Sequence, residues 1–391
     1  MSRAPEPLCP LSHAPDVTAC DPAELAPLVA WLSARATKVT ESVTFPRGTV
    51  LVDQGGGRVD LCKQSIGPSG VSPIMGALRR EQELFGVLLG TNAIGDEGAR
   101  ALASALTAGA PLRTVYLGCN RIGPSGAAAL AEAIAANAEV RALWLKRNPL
   151  GPEGATPFAR VIRAGCGLRT LDLVNTELGP RGTALIIEAI LEGPTPIERI
   201  FLGGNGLGPA VAPLLAALVK GKASLRALYL AVNRLGDEGA VALAEAVFAR
   251  GAFEALSLAS NDVGPRAAPA LGEATAVLRQ LDLGGAPSTH ALGERPNRLG
   301  DEGAAALAPG VARSSVLAGL DLRDAGITSR GVLALLPAIE ASRSLVEVGL
   351  GKHVARSLKR KVAAFVARNR AAGAPLTHVA EDVCAVRSVY R

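Results

Sequence analysis

The sequence predicts an α/β solenoid, in which one short parallel strand and one helix repeat along the chain. The first observation behind this prediction is a nine-residue pattern, Leu-x-Leu-x-x-Asn-x-Ile/Leu-Gly, that recurs about once every 28 residues. The second is the apolar alternation before each asparagine, which is typical of a short strand. The third is a helix-start signal after it, Gly-Asp-Glu-Gly at residues 95–98, 236–239 and 300–303. Acidic residues there favour the positive end of the helix dipole.

The asparagine column of this pattern sets the period. Five of its first six steps are 28 residues and one is 29, and its positions are Asn92, Asn120, Asn148, Thr176, Asn205, Asn233 and Asn261. A faded copy lies upstream at Gln64, and later copies lie at Asn297, Ala325 and His353. We expect buried asparagine amides to satisfy backbone groups of the turn, and neighbouring turns to share them.

The ends of the chain depart from the repeat. Residues 1–20 are rich in proline, and Asp21-Pro22 then predicts the N-cap and first position of a capping helix. The stretch Thr44–Val52 predicts extended structure leading into the first repeat. We therefore predict an N-terminal segment with a cap helix at 1–58, a solenoid of about eleven repeats at 59–350 and a basic cap helix with a tail at 351–391.

Two irregularities interrupt the later repeats. The spacing from Leu256 to Leu281 is only 25 residues, which predicts a short helix in that repeat. An insertion at 285–295 follows, and it should leave the sheet at the carboxyl end of the strand Leu281–Leu283. Such an insertion is either part of a binding face or a neutral surface loop.

The position between the two strand leucines should face outward, and it carries four of the chain's twelve aromatic residues. Aromatic and arginine side chains in one exposed patch are typical anchors of protein interfaces. The predicted partner-binding residues are Tyr116, Trp144, Phe201 and Tyr229 for burial, with Lys146, Arg147, Asp172 and Arg199 for orientation. The alternative is structural, because aromatic residues favour strands and neighbouring strand side chains cover one another.

Charge argues against a nucleic-acid function for the repeats themselves. The net charge is +6, but residues 352–391 hold nine Lys/Arg and two Asp/Glu (+7), so the remaining 351 residues carry −1. The basic segment His353–Arg370 has apolar residues at helical spacing, which predicts a C-terminal cap helix; an acidic partner or nucleic acid contacting it is the alternative. The tail at 371–391 is apolar enough to dock on the solenoid or to present a motif to a partner.

The sequence contains little that indicates a catalytic, metal-binding or cofactor-binding site. The six cysteines form no CxxC pair, and the four histidines lie far apart. We predict no catalytic residue, no metal ligand and no cofactor, with a dyad of Cys62 and a distant histidine as the alternative to an idle thiol. No apolar run of signal-peptide or membrane-spanning length occurs, so we expect a soluble cytoplasmic protein.

The strand-turn-helix units, with helices of the form Gly-Ala-x-Ala-Leu-Ala at Gly98–Ala103, Gly126–Ala131 and Gly239–Ala244, resemble the ribonuclease-inhibitor-type leucine-rich repeat family and its bacterial GALA-like members. The resemblance covers roughly Val59 to Val362. It implies a right-handed horseshoe with a concave parallel sheet and outer helices, and it says almost nothing about activity. From the aromatic column and the lack of a catalytic motif we predict a non-enzymatic scaffold that binds a protein on the concave face.

The sequence also allows three other hypotheses about function. The first is an RNA or nucleoprotein adaptor that uses the aromatic stripe and the basic C-terminal end. The second is a regulator of a partner enzyme, since the family includes inhibitors and GTPase-activating proteins of the nuclear-transport type, although no motif of theirs can be placed here. The third is recruitment of a second partner by the N-terminal helix Asp21–Ala34, as F-box-like segments do in GALA proteins.

Overall fold

The computed structural model describes residues 17–53 and 56–374. The chain divides into two compact units, one ending at Ile200 and the other beginning at Phe201, and each is described by itself. The expectations for the proline-rich start and for the tail after residue 374 fall outside the described residues.

The first unit alternates strands and helices in chain order. Its strands are β1 (Val43–Thr44), β2 (Thr49–Asp53), β3 (Gly56–Asp60), β4 (Leu84–Leu88), β5 (Thr114–Tyr116), β6 (Ala142–Trp144) and β7 (Thr170–Asp172). Its helices are α1 (Pro22–Ala34), α2 (Val71–Ala77), α3 (Gly95–Thr107), α4 (Pro124–Ala136), α5 (Gly151–Ala164) and α6 (Gly179–Glu192). The strands β1 to β3 pair antiparallel, and β3 to β7 pair parallel in sequence order.

The second unit continues the same alternation after β8 (Arg199–Phe201), which spans the division. Its strands are β9 (Ala227–Tyr229), β10 (Phe253–Ser257), β11 (Leu278–Asp282), β12 (Gly319–Leu322) and β13 (Glu347–Leu350). Its helices are α7 (Ala212–Gly221), α8 (Gly236–Arg250), α9 (Ala268–Ala274), α10 (Gly300–Arg313), α11 (Ser329–Ala341) and α12 (Arg356–Ala371). The strands β9 to β13 pair parallel in order. The predicted class, a repeating α/β structure with an open parallel sheet, is confirmed.

The helix predicted to start at Asp21-Pro22 is present. Helix α1 begins after Asp21, whose side chain accepts a hydrogen bond from the Ala23 backbone, and Glu24 completes the capping box. Leu25, Leu28 and Leu32 form its buried side. The extended stretch that follows is the hairpin β1–β2, which pairs with β3 and so covers the first edge of the parallel sheet.

A ladder of buried asparagines ties consecutive turns together, as the sequence predicts. The Asn148 amide donates to the carbonyls of Leu117 (2.9 Å) and Leu145 (2.8 Å), which belong to two successive repeats. Its side-chain oxygen accepts from the backbone nitrogens of Asn120 (2.9 Å) and Ile122 (3.1 Å). Each amide thus satisfies backbone groups that water cannot reach.

The two predicted irregularities have clear structural outcomes. Helix α9 has only seven residues, so the short spacing shortens the helix. The insertion is fastened to the turns before it: Thr289 is buried and lies 2.6 Å from the Ser260 hydroxyl, and Glu294 pairs with Arg234 at 2.7 Å. Asn297 then rejoins the ladder, since its side chain accepts from the Asn261 backbone nitrogen at 2.8 Å.

The C-terminal helix α12 packs with one side on the last repeat. Val362, Val366 and Asn369 are its buried residues, and the Asn369 amide donates to the carbonyls of Ser342 and Leu345. Most of its cationic side chains face solvent. This is the geometry expected of a capping helix. Across the described residues, no helix combines the length and apolar character needed to cross a membrane.

Candidate functional site

The strand residues between the repeat leucines, together with the residues just after the second leucine, form one face of the sheet, here called the open face. In the first unit its members stand in register on adjacent strands, Leu88 beside Tyr116, Tyr116 beside Trp144, and Trp144 beside Asp172. Adjacent strands lie about 4.8 Å apart, so neighbouring side chains of this column must touch.

Four of the eight predicted binding residues are buried, so the prediction that they are exposed is wrong. Trp144 and Asp172 are 1% exposed, Tyr116 is 2% exposed and Arg199 is 6% exposed. By contrast, Arg147 is exposed, and Lys146, Phe201 and Tyr229 are partly exposed. The sequence therefore placed the residues on the correct strands and overestimated how far their side chains project.

Glycines beside Tyr116 explain part of this burial. A methyl group on Gly90 would lie 2.4 Å from the Tyr116 ring, and one on Gly118 would lie 2.7 Å from its hydroxyl oxygen. The ring therefore lies flat along the sheet, over positions that carry no side chain. Lys146 also lies close above Gly118, and its ammonium is 5.9 Å from the Tyr116 ring centre. Neighbouring side chains cover one another, as the structural alternative holds.

Burial also shifts the pKa values of two ionisable side chains on the open face toward 7. Desolvation lowers the pKa of Lys146 to about 8, although the nearby Asp172 carboxylate opposes the shift. Desolvation raises the pKa of Asp172 to about 7, against the hydrogen bond from the Val174 backbone (2.8 Å) and the charges of Lys146 and Arg147. Both groups therefore change charge near physiological pH.

The thiol of Cys62 lies near Lys146 and is not activated as a nucleophile. Burial, reinforced by the charge of Asp60, raises the pKa of Cys62, which keeps its sulfur protonated. A nucleophilic cysteine requires the opposite shift. This argues against the dyad alternative. Within the described part of the chain, no group of three or more His, Cys, Asp or Glu side chains is placed to hold a metal ion.

The open face of the second unit carries an aromatic pair. The rings of Phe201 and Tyr229 stack with their centres 4.1 Å apart and an angle of 3° between their planes. Both side chains are partly exposed. Further along this face, the Ser257 hydroxyl donates to the Asp282 carboxylate at 2.7 Å, and the Arg323 guanidinium binds the Asp321 carboxylate. The face thus changes from aromatic to charged within one unit.

A basic groove at the amino ends of the strands was missed by the sequence analysis. Arg80, Arg113, Glu139 and Arg141 line a cavity of about 410 Å³ in the first unit. The available signal was a row of arginines directly before the strands, at Arg113, Arg141 and Arg169, with the 28-residue spacing of the repeat. The repeat pattern does not include these positions, because it begins at the first strand leucine.

Comparison with known proteins identifies the repeats. The family model described as "Leucine Rich repeat" matches residues 89–103, 110–131 and 221–244. No curated protein matches the sequence. Similar solved structures include the actin-binding site 2 of leiomodin-1 (11% identity, TM-score 0.32, covering 48% of this chain and 88% of that one).

Two further solved structures are also similar. The Caenorhabditis elegans tropomodulin C-terminal domain has 15% identity and a TM-score of 0.25, covering 56% of this chain and 95% of that one. The yeast Rad7–Elc1 complex has 14% identity and a TM-score of 0.44, covering 87% of this chain and 86% of that one. These scores are too low to support an argument about function, and the finer assignment to the ribonuclease-inhibitor type stays a prediction. The repeat period, the asparagine ladder and the matched segments together show that this chain contains leucine-rich repeats.

Proposed function

We propose that this chain is a non-enzymatic cytoplasmic scaffold that binds a partner protein through the open face of its sheet. The observation that carries the proposal is the stacked pair Phe201 and Tyr229, which keeps part of both rings accessible on that face. Stacking fixes both rings before binding, so little side-chain entropy is lost when a partner covers them. Rigid aromatic surfaces of this kind are frequent anchors of protein interfaces.

The remaining predicted binding residues take two different roles in this proposal. Arg147 is exposed in the turn after β6, in a left-handed conformation (φ 56°), and it contacts the partner together with Lys146. Tyr116, Trp144, Asp172 and Arg199 are buried, and the first and third of these lie near Lys146 and position its ammonium. Exposed cations favour an acidic or mixed partner surface and fix its orientation.

The test compares Phe201→Ala/Tyr229→Ala with Phe248→Ala in a pull-down from native extract, followed by affinity measurement with the recovered protein. Phe248 is 49% exposed on helix α8 of the same unit, so it controls for loss of an exposed ring away from the sheet. We expect the wild type and the Phe248 variant to retain the partner, and the double variant to bind at least about tenfold more weakly.

The outcome also separates this proposal from the nucleic-acid alternative. A protein interface anchored by aromatic rings keeps its partner after nuclease treatment and loses little affinity in salt. A nucleoprotein held through the basic end would be lost on nuclease treatment and would weaken steeply as salt rises. Equal retention of one partner by the wild type and the double variant would refute binding at the Phe201–Tyr229 pair.

A further inference from the structure

The basic groove of the first unit has a fixed backbone. The Arg113 backbone nitrogen donates to the Phe85 carbonyl at 2.7 Å, and the backbone nitrogens of Arg141 and Ala142 both donate to the Arg113 carbonyl at 2.9 Å. Arg113 and Arg141 therefore start from adjacent strands of one ladder, about 4.8 Å apart. Their side chains leave the sheet at its amino edge, whereas the open face uses residues within the strands and after them.

The four charged groups of the groove are unequally paired. The Arg80 guanidinium donates two hydrogen bonds to the Glu139 carboxylate, at 2.6 and 3.2 Å, and these two charges neutralise each other. The pKa of Glu139 is lowered first by this bonding and further by the charges of Arg113 and Arg141. The Glu139 carboxylate therefore stays ionised. The three arginines and this one carboxylate together give the groove a net charge of +2.

Arg113 and Arg141 supply that excess charge. The Arg113 guanidinium lies 3.9 Å above the centre of the Phe85 ring, and Arg141 donates one hydrogen bond to the Gly167 carbonyl at 3.3 Å. Among the described residues, neither guanidinium is within ion-pair distance of a carboxylate. A guanidinium stacked on a ring still presents its N–H groups at its edge, and the Arg141 group has donors to spare. Both side chains are exposed to solvent.

We propose that this groove binds a phosphate monoester through Arg113 and Arg141. A phosphate monoester carries about −1.5 to −2 charges at pH 7 and three acceptor oxygens, which match two guanidinium forks and a net charge of +2. A carboxylate has one charge and would satisfy only one fork. The cavity of about 410 Å³ exceeds the size of a phosphate, so it also accommodates the group that carries it. That carrier is a phosphorylated side chain of a partner protein or a small phosphorylated metabolite.

The test is calorimetric titration of the full-length chain with three probes at constant ionic strength. The probes are N-acetyl-O-phosphoserine N-methylamide, glucose 6-phosphate and N-acetyl-aspartate N-methylamide. The variant is Arg113→Gln/Arg141→Gln, and the matched control is Arg169→Gln/Arg226→Gln, which removes the same charge from the equivalent position before other strands. We expect both phosphate probes to bind the wild type and the control, and to bind the variant at least about tenfold more weakly.

A second variant and a pH series sharpen the result. Arg141→Lys keeps the charge and loses the fork, so it should bind with intermediate affinity. Binding should weaken as pH falls below about 6, where the phosphate loses its second charge. The tighter of the two phosphate probes identifies the source as a protein or a metabolite. Equal affinity for the aspartate and phosphoserine probes, or equal binding to wild type and double variant, would overturn the proposal.

Discussion

At the scale of single residues, Asp172 is a buried acid whose ionisation opposes folding. Its pKa rises from 3.8 to about 7 because the sheet removes water from the carboxylate. Between these values the folded chain holds a proton that the unfolded chain releases. Protonated Asp172 therefore stabilises the folded chain fully below about pH 4. This stabilisation is lost as pH rises through about 7.

Replacing Asp172 with asparagine should remove this pH dependence. The amide keeps an oxygen for the Val174 backbone nitrogen and carries no charge to desolvate. We expect the free energy of unfolding of Asp172→Asn, relative to wild type, to increase between about pH 4 and pH 7 and then to level off. The limit is roughly 4 kcal/mol, from about 1.4 kcal/mol per pKa unit, and the lost attraction to Lys146 reduces it.

Urea denaturation at several pH values measures the effect, with Asp324→Asn as the control for an exposed carboxylate. A difference between Asp172→Asn and wild type that stays constant from acid to neutral pH would contradict the assignment. Such a result would mean that Lys146 and Arg147 hold Asp172 ionised throughout.

At the scale of elements, the short helix α9 requires its neighbour α10 to approach unusually closely. A methyl group on Gly310, inside α10, would lie 2.1 Å from the Gly272 carbonyl oxygen of α9. Both contacting groups are backbone, which cannot rotate away as a side chain can. Helix propensity favours alanine over glycine by about 1 kcal/mol, so two effects of opposite sign meet at this position.

The steric effect should win at Gly310. We expect Gly310→Ala to lower the free energy of unfolding by about 1–3 kcal/mol, because the two helices must separate. The control is Gly76→Ala in α2, where an added methyl group has no neighbour within 4 Å, and that variant should gain up to about 1 kcal/mol. Urea denaturation measures both. A Gly310→Ala variant as stable as wild type would mean that the α9–α10 contact is loose.

The sequence predicted the elements better than the environment of their side chains. A fixed period and the apolar alternation determine where each strand, turn and helix lies, and the 25-residue spacing was enough to predict the short α9. Alternation gives the face on which Tyr116 and Trp144 lie. It cannot give the angle at which a ring leaves the sheet, because that depends on glycines in the neighbouring repeat, such as Gly90. The groove formed by Arg80 and Glu139 joins residues 59 positions apart without a shared motif.

At the scale of the whole molecule, the stability of each repeat should depend mainly on the repeats next to it. In repeat proteins each unit contacts mainly the units before and after it, so a local change weakens nearby repeats most. The asparagine ladder is one link of this kind, since Asn148 alone bonds four backbone groups in the repeats around it. Thr176 takes the same position one repeat later and donates to the Leu173 carbonyl at 2.7 Å, so a threonine is tolerated there.

Hydrogen exchange of Asn148→Ala should therefore show a graded response along the chain. Removing the amide leaves three buried backbone groups without their partner, because the Leu117 carbonyl keeps its hydrogen bond from the Asn120 amide. The cost is about 1–3 kcal/mol for each group that water cannot reach. We expect exchange to accelerate most between residues 117 and 176 and to change little between residues 297 and 350. Asn148→Thr, which copies the natural threonine at position 176, should produce a weaker effect over the same segment. Equal acceleration at all residues would instead show that the chain unfolds as one cooperative body, in which a lost ladder bond is felt everywhere.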